Sequence, residues 1–167
     1  SLRKQKIRYI PVLDAEGRLA EIIDLSSVKT IIPAEAVIMA GGKGERLRPL
    51  TDALPKPLLM VGGKAIIDHN IDWLITFGVK TYHITLNYLG DQIQGYFGDG
   101  KKWGVRMRYS VEDTPKGTAG GVKELQPFLS DTFLVVSADA VTDFDLTEAI
   151  DAHRRKNGGV RLLPGSH

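Results

Sequence analysis

One stretch constrains this chain more than any other: residues 36–59, AVIMAGGKGERLRPLTDALPKPLL. It opens on an apolar run, Ala36, Val37, Ile38 and Met39, of the kind that forms a buried parallel strand. The run breaks into Gly41, Gly42 and Gly44, with Lys43, Arg46 and Arg48 interleaved. Glycines at such a break let the backbone turn tightly and aim successive N–H groups at an anion. The arginines add planar two-pronged donors for phosphate, and Lys56 adds a point charge between Pro55 and Pro57. Strand, glycine loop and cations together read as a phosphate site.

Two familiar loops are excluded by spacing. A Walker A loop needs Gly-x4-Gly-Lys followed by Ser or Thr, whereas Gly63-Lys64 has Leu58 at the first position and Ala65 at the last. The dinucleotide fingerprint G-x-G-x-x-G begins at Gly42 and Gly44 but meets Leu47 at its final glycine. The remaining string, GG-x-G-x-R-L-x-PLT followed by PKP, resembles the motif of the sugar-phosphate nucleotidyltransferases, with mannose-1-phosphate guanylyltransferases as the nearest branch. The resemblance covers about residues 35 to 160.

Composition narrows the remaining classes. The chain has 167 residues, enough for roughly one domain with a buried core. Its net charge is +2 and it has no long basic run, which gives no reason to expect a nucleic-acid or membrane surface. Cysteine is absent, so disulfides, thiolate metal sites and cysteine nucleophiles are excluded. No apolar run approaches the roughly 20 residues of a membrane helix, and no signal peptide is visible, so a cytoplasmic protein is expected.

Residues 1–33 are set apart from 34–167. Ile7 to Leu13 reads as a strand, Asp14 to Gly17 as a turn, and Arg18 to Asp24 as the partner strand. The pattern IPVLD-x-x-GRL resembles the tail of a CBS domain, a module that binds adenine nucleotides, though only part of one repeat is present. Ile31 to Pro33 is the expected boundary. Beyond the loop, a helix is expected over Lys64 to Phe77, closed by Gly78, then a strand over Lys80 to Leu86. A short helix over Asp91 to Phe97, a strand over Val105 to Val111 and a helix over Thr118 to Leu125 follow. Thr132 to Ser137 reads as a buried strand, and Asp145 to Glu148 as a capping box opening a helix to about Lys156. Alternating strands and helices predict an α/β, three-layer, Rossmann-like fold with a mostly parallel sheet and helices on both faces. Ligands of such sheets sit beyond the carboxyl ends of the strands, where the loop, Glu112 to Thr118 and Asp139 all fall.

The resemblance implies that a sugar 1-phosphate attacks the α-phosphorus of a nucleoside triphosphate, giving a nucleotide sugar and pyrophosphate. An anionic nucleophile needs no general base, so positioning and charge neutralisation carry the reaction. The implied nucleotide-binding residues are Ala40, Gly41, Gly42, Lys43, Gly44, Glu112, Gly117 and Thr118. The implied catalytic residues are Arg46, Lys56 and Asp139. Asp139, at the end of an apolar strand, is the expected ligand of the cofactor Mg²⁺, which binds through one or two carboxylates, phosphate oxygens and water. Glu112 opens the base-reading loop, and a carboxylate suits the paired N1–H and N2–H donors of guanine, so GTP is favoured. The expected partners are a nucleoside triphosphate and a sugar 1-phosphate, with homo-oligomerisation left open. The family's later segment, with most of the sugar pocket, lies beyond His167, so the chain reads as a truncated part of a longer enzyme. A non-catalytic nucleotide-binding or regulatory subunit and a self-associating structural fragment remain as alternatives.

Overall fold

The computed structural model describes residues 8–24, 31–113 and 117–155. The first described element is a hairpin of β1 (Tyr9–Leu13) and β2 (Leu19–Asp24), paired antiparallel. Its turn is held by the Asp14 carboxylate, which accepts from the backbone N–H groups of Glu16 at 3.0 Å and Arg18 at 2.8 Å. Such closure by an Asp side chain is what the turn chemistry of Asp14 to Gly17 predicts. Residue 7, the expected start of the first strand, lies outside the described residues.

The central sheet contains β3 (Glu35–Met39), β6 (Thr81–Leu86), β7 (Arg106–Val111) and β8 (Phe133–Ser137). A two-residue pair, β4 (Met60–Val61) and β5 (Lys64–Ala65), forms a separate small hairpin. The sheet order is β7-β6-β3-β8 and every pairing is parallel. Three crossover helices connect these strands: α1 (Ile66–Thr76), α2 (Gly90–Phe97) and α3 (Gly117–Leu125). The last helix is α4 (Leu146–Arg155), opened by the Asp145 carboxylate accepting from Thr147 N–H at 2.8 Å.

Alternation along β6 assigns the two faces. Tyr82, Ile84 and Leu86 join Ile67, Ile71 and Leu74 of α1 and Ile93 and Phe97 of α2 in one apolar cluster. His83 and Thr85 point the other way, where α3 packs against β3 and β6. The crossovers explain this division: β3-α1-β6-α2-β7 steps in one direction, and β7-α3-β8 returns across the sheet, so right-handed connections place α3 on the opposite face. Helices therefore cover both faces, as expected.

Two local expectations change. Lys64 and Ala65 belong to the small hairpin, so α1 starts at Ile66. Its other end follows the sequence: Gly78 has φ +73°, and Gly78 N–H and Val79 N–H bond to the carbonyls of Ile75 and Leu74. That is a Schellman closure. The strand at β8, expected to be buried, is only partly so, with Val135 43% exposed. Among the described residues β8 pairs with β3 alone, so it is an edge strand.

The α3 face carries a buried titratable group. His83 is 2% exposed, and its Nε2 lies 3.4 Å from Glu35 Oε2. Burial pushes the imidazole pKa below its ordinary value; the Glu35 carboxylate opposes that shift and Arg108 reinforces it. The fold therefore favours the neutral ring. That contribution is complete above the unfolded-state pKa of about 6.5 and is lost as pH falls towards the lower folded-state value. Urea unfolding of the wild type and His83→Gln at pH 7.5 and 5.5 should show the wild type losing more stability on acidification. Equal losses would remove His83 from the pH response.

Candidate active site

The order β7-β6-β3-β8 has a reversal point between β3 and β8, and a crevice opens beyond their carboxyl ends. The glycine loop leaves β3 into this crevice, and Asp139 follows β8 into it from the other side. Two backbone bonds extend the ladder as the chain enters, from Ala40 N–H to Thr85 O and from Ala138 N–H to Met39 O, both 3.0 Å.

The loop has the shape its glycines allow. Gly44 has φ +64°, and a Cβ there would lie 3.0 Å from Thr51 Cγ2 and 3.1 Å from Lys56 Cβ. A side chain would be strained by the backbone and crowded by both neighbours. Buried Thr51 ties the loop back on itself by donating to Gly44 O at 2.9 Å. The segment after β6 clamps the outside of the loop. Tyr88 Oη lies 3.2 Å from Thr51 O and 3.0 Å from Asp52 O, and Gln92 Nε2 donates to Ala53 O at 3.0 Å.

Lys56 opens a single helical turn, Lys56–Leu58, anchored by buried Pro57 and Leu58. Its Nζ reaches across the crevice to Asp139 Oδ2 at 2.7 Å. Ser137 Oγ donates to the other carboxylate oxygen, Oδ1, so both oxygens of Asp139 have protein donors. Burial alone would raise the Asp139 pKa, but the hydrogen bonds from Lys56 and Ser137 outweigh it and hold the carboxyl below its ordinary value. Asn70 of α1 supports this corner by donating to Ser137 O at 3.3 Å.

These parts enclose a cavity of about 300 Å³. Of the expected site residues, Ala40, Gly41, Gly42, Gly44, Lys56, Glu112, Gly117 and Asp139 line it. Lys43 and Arg46 do not: both are exposed, and Arg46 lies on the one-turn helix Glu45–Leu47. The backbone of Thr118 lies in the first turn of α3, while its side chain and residues 114–116 lie outside the described residues. Met39, Pro57, Thr85 and Ser137 complete the wall and were not expected from sequence. The one signal for Thr85 was the alternation of β6, which turns it away from Ile84 and Leu86. Glu112 is set by its backbone, with N–H bonded to Leu86 O at 2.8 Å and O accepting from Asn87 Nδ2 at 2.6 Å.

The donor set fits a hard divalent cation only in part on its own. Asp139 offers a carboxylate to the cavity, and among the described residues no group of three or more His, Cys, Asp or Glu gathers to hold a metal. A Mg²⁺ at Asp139 would complete its shell from phosphate oxygens and water, which is how this ion usually binds beside phosphates. No helix among the described residues is long and apolar enough to cross a membrane.

The chain is 37% identical to a UTP–glucose-1-phosphate uridylyltransferase of Synechocystis over 141 residues, covering 77% of the chain and 36% of the relative. It is 45% identical to an N-acetylmuramate alpha-1-phosphate uridylyltransferase of Neisseria meningitidis, covering 69% and 51%. It is 34% identical to a mannose-1-phosphate guanylyltransferase of Mycobacterium tuberculosis, covering 77% and 36%. The chain thus spans between about a third and a half of the length of these relatives. A solved structure of a putative glucose-1-phosphate thymidylyltransferase from Bacillus anthracis superposes with a TM-score of 0.66 at 27% identity, covering 72% of this chain and 50% of that one. The profile described as nucleotidyl transferase matches residues 35–165, so the chain belongs to the nucleotidyl transferase family.

Proposed function

We propose that this chain forms the nucleotide-binding part of an enzyme that transfers a nucleoside monophosphate from a triphosphate to a sugar 1-phosphate. A phosphate oxygen of the sugar attacks the α-phosphorus, the bond to the bridging oxygen of the β-phosphate breaks, and pyrophosphate leaves with that electron pair. No proton needs to move. The observation that carries the reading is the Lys56–Asp139 pair at 2.7 Å, lining the same cavity as the glycine loop.

Each residue has a role that its chemistry supports. Gly41, Gly42 and Gly44 present backbone N–H groups to the triphosphate. Lys56 draws the two reacting phosphates together, and neutralising their charge is the main demand of such a transfer. Asp139 would hold Mg²⁺, which when bound neutralises the α-phosphate and the departing pyrophosphate. Arg46 and Lys43 sit on the loop outside the cavity wall, where they extend the positive field met by an incoming polyanion. Glu112 accepts hydrogen bonds from the base edge, and this acceptor-only group favours guanine. The relatives' printed names include uridylyl as well as guanylyl transferases, so base choice is the finer part of the proposal. Residues 1–33 are read as a connecting segment ahead of a domain starting at 34.

Calorimetric titration with GTP, UTP, CTP, dTTP and ATP, each with and without Mg²⁺, tests the reading. Mg²⁺-dependent binding with GTP tightest is expected, and Asp139→Asn should abolish the metal dependence. Preference for another base would overturn the guanine assignment alone. Absence of binding by a folded chain would overturn the nucleotide reading itself.

A further inference from the structure

Gly121 lies in the second turn of α3, on the face turned towards the end of β6. It is buried, and a Cβ built on it would lie 2.2 Å from Glu112 Oε1. The next nearest atoms, Glu112 Cδ and Thr85 Cγ2, would be 3.4 Å away, an ordinary contact. The space that a side chain at 121 would take is therefore already filled, and what fills it is the carboxylate of Glu112. No backbone atom crowds the position, and φ at Gly121 is not in the left-handed region. The backbone conformation thus gives no reason for glycine here; the carboxylate does.

The rest of Glu112 is fixed independently. Its N–H and carbonyl are tied to Leu86 and Asn87, so its Cα cannot follow a displaced side chain. Displacement at 121 must be absorbed by the Glu112 side-chain torsions, which would move the carboxylate relative to the cavity that Glu112 lines.

We propose that Gly121 is a specificity-determining residue for the base: its missing side chain seats the Glu112 carboxylate against α3 and so fixes the direction in which that acceptor faces the nucleotide. Gly121 touches no substrate in this arrangement and acts through Glu112. The inference rests on the proposed nucleotide-binding reading of the cavity.

Gly121→Ala is a mild probe, because alanine is the better helix former and the only short contact is with the movable end of a side chain. Nucleotide affinities are measured for the whole chain with GTP and UTP in Mg²⁺, and with inorganic tripolyphosphate as a base-free control. In Gly121→Ala the ratio of GTP to UTP affinity should fall by about tenfold, the scale of one lost or misdirected hydrogen-bonded base contact. Tripolyphosphate affinity should be unchanged. In a Glu112→Ala background, where no carboxylate remains to be displaced, the same substitution should leave the ratio unaltered. An unchanged ratio in the single variant overturns the inference, and so does an equal change in both backgrounds. Absence of nucleotide binding by the wild type would instead overturn the reading of the cavity, and the inference with it.

Discussion

Replacing Lys56 with methionine is expected to weaken GTP binding in Mg²⁺ about 30-fold, equivalent to about 2 kcal/mol, the lower end of what removing one partner of a close charged pair costs. The geometry sets both the sign and the mechanism. Lys56 Nζ sits 2.7 Å from Asp139 Oδ2 in a partly enclosed crevice, with the two side chains 29% and 41% exposed. Without the ammonium, a triphosphate entering the cavity loses an attractive cation and meets a carboxylate with no cation beside it. Methionine keeps most of the stem length, so the packing of Lys56 Cβ against Gly44 is retained. Divalent cation binding without nucleotide should move in the opposite direction, because Lys56 no longer holds Oδ2. Titration with Mn²⁺ alone should therefore show tighter binding in the variant. The Asp139 carboxyl should also titrate higher than in the wild type, since burial pushes it up and the Lys56 ammonium that opposes this is gone. Unchanged Mn²⁺ binding together with unchanged GTP binding would separate Lys56 from the site altogether.

The parts of the site that were legible in the sequence are those with a local cause. The apolar run before the glycines marks β3, and the positive φ of Gly44 answers to a glycine in the motif. Asp139 could be placed because it follows another apolar run, and order along a parallel sheet puts both strand ends at one edge. What local pattern cannot express is direction and distance. Lys56 and Asp139 are 83 residues apart in the chain, and nothing in either neighbourhood states that they touch. Lys43 and Arg46 carry the charge a phosphate site needs, yet the loop leaves both outside the cavity wall. Thr85 and Ser137 look like ordinary strand residues until the register, which pairs both with Met39, puts them on one face of the sheet at the cavity. The exposure of Val135 has the same origin: an apolar strand reads alike in the middle of a sheet and at its edge, and only the neighbours decide.

Phe77→Ala should destabilise the chain by about 3–5 kcal/mol, a large share of the 5–15 kcal/mol typical of a domain. Phe77 closes α1 just before Gly78 and is fully buried. Its ring meets Trp73 edge-on at 5.9 Å, and its carbonyl accepts from Ile32 N–H at 2.9 Å. Truncation leaves a void among side chains already fixed by the sheet and α1, and such a void collapses only in part. Phe128, 64% exposed, is the internal control: Phe128→Ala should change stability by no more than about 0.5 kcal/mol. Urea unfolding decides between them, with the midpoint falling for Phe77→Ala while the slope stays constant. The loss also bears on the site, because α1 carries Asn70, which holds the Ser137 carbonyl beside Asp139. Below its unfolding transition Phe77→Ala should still bind nucleotide, since the backbone ladder of β3 and β8 remains to set the crevice. A fall in affinity with no fall in the urea midpoint would mean that Phe77 acts on the crevice directly, and that the core and the site are mechanically one unit.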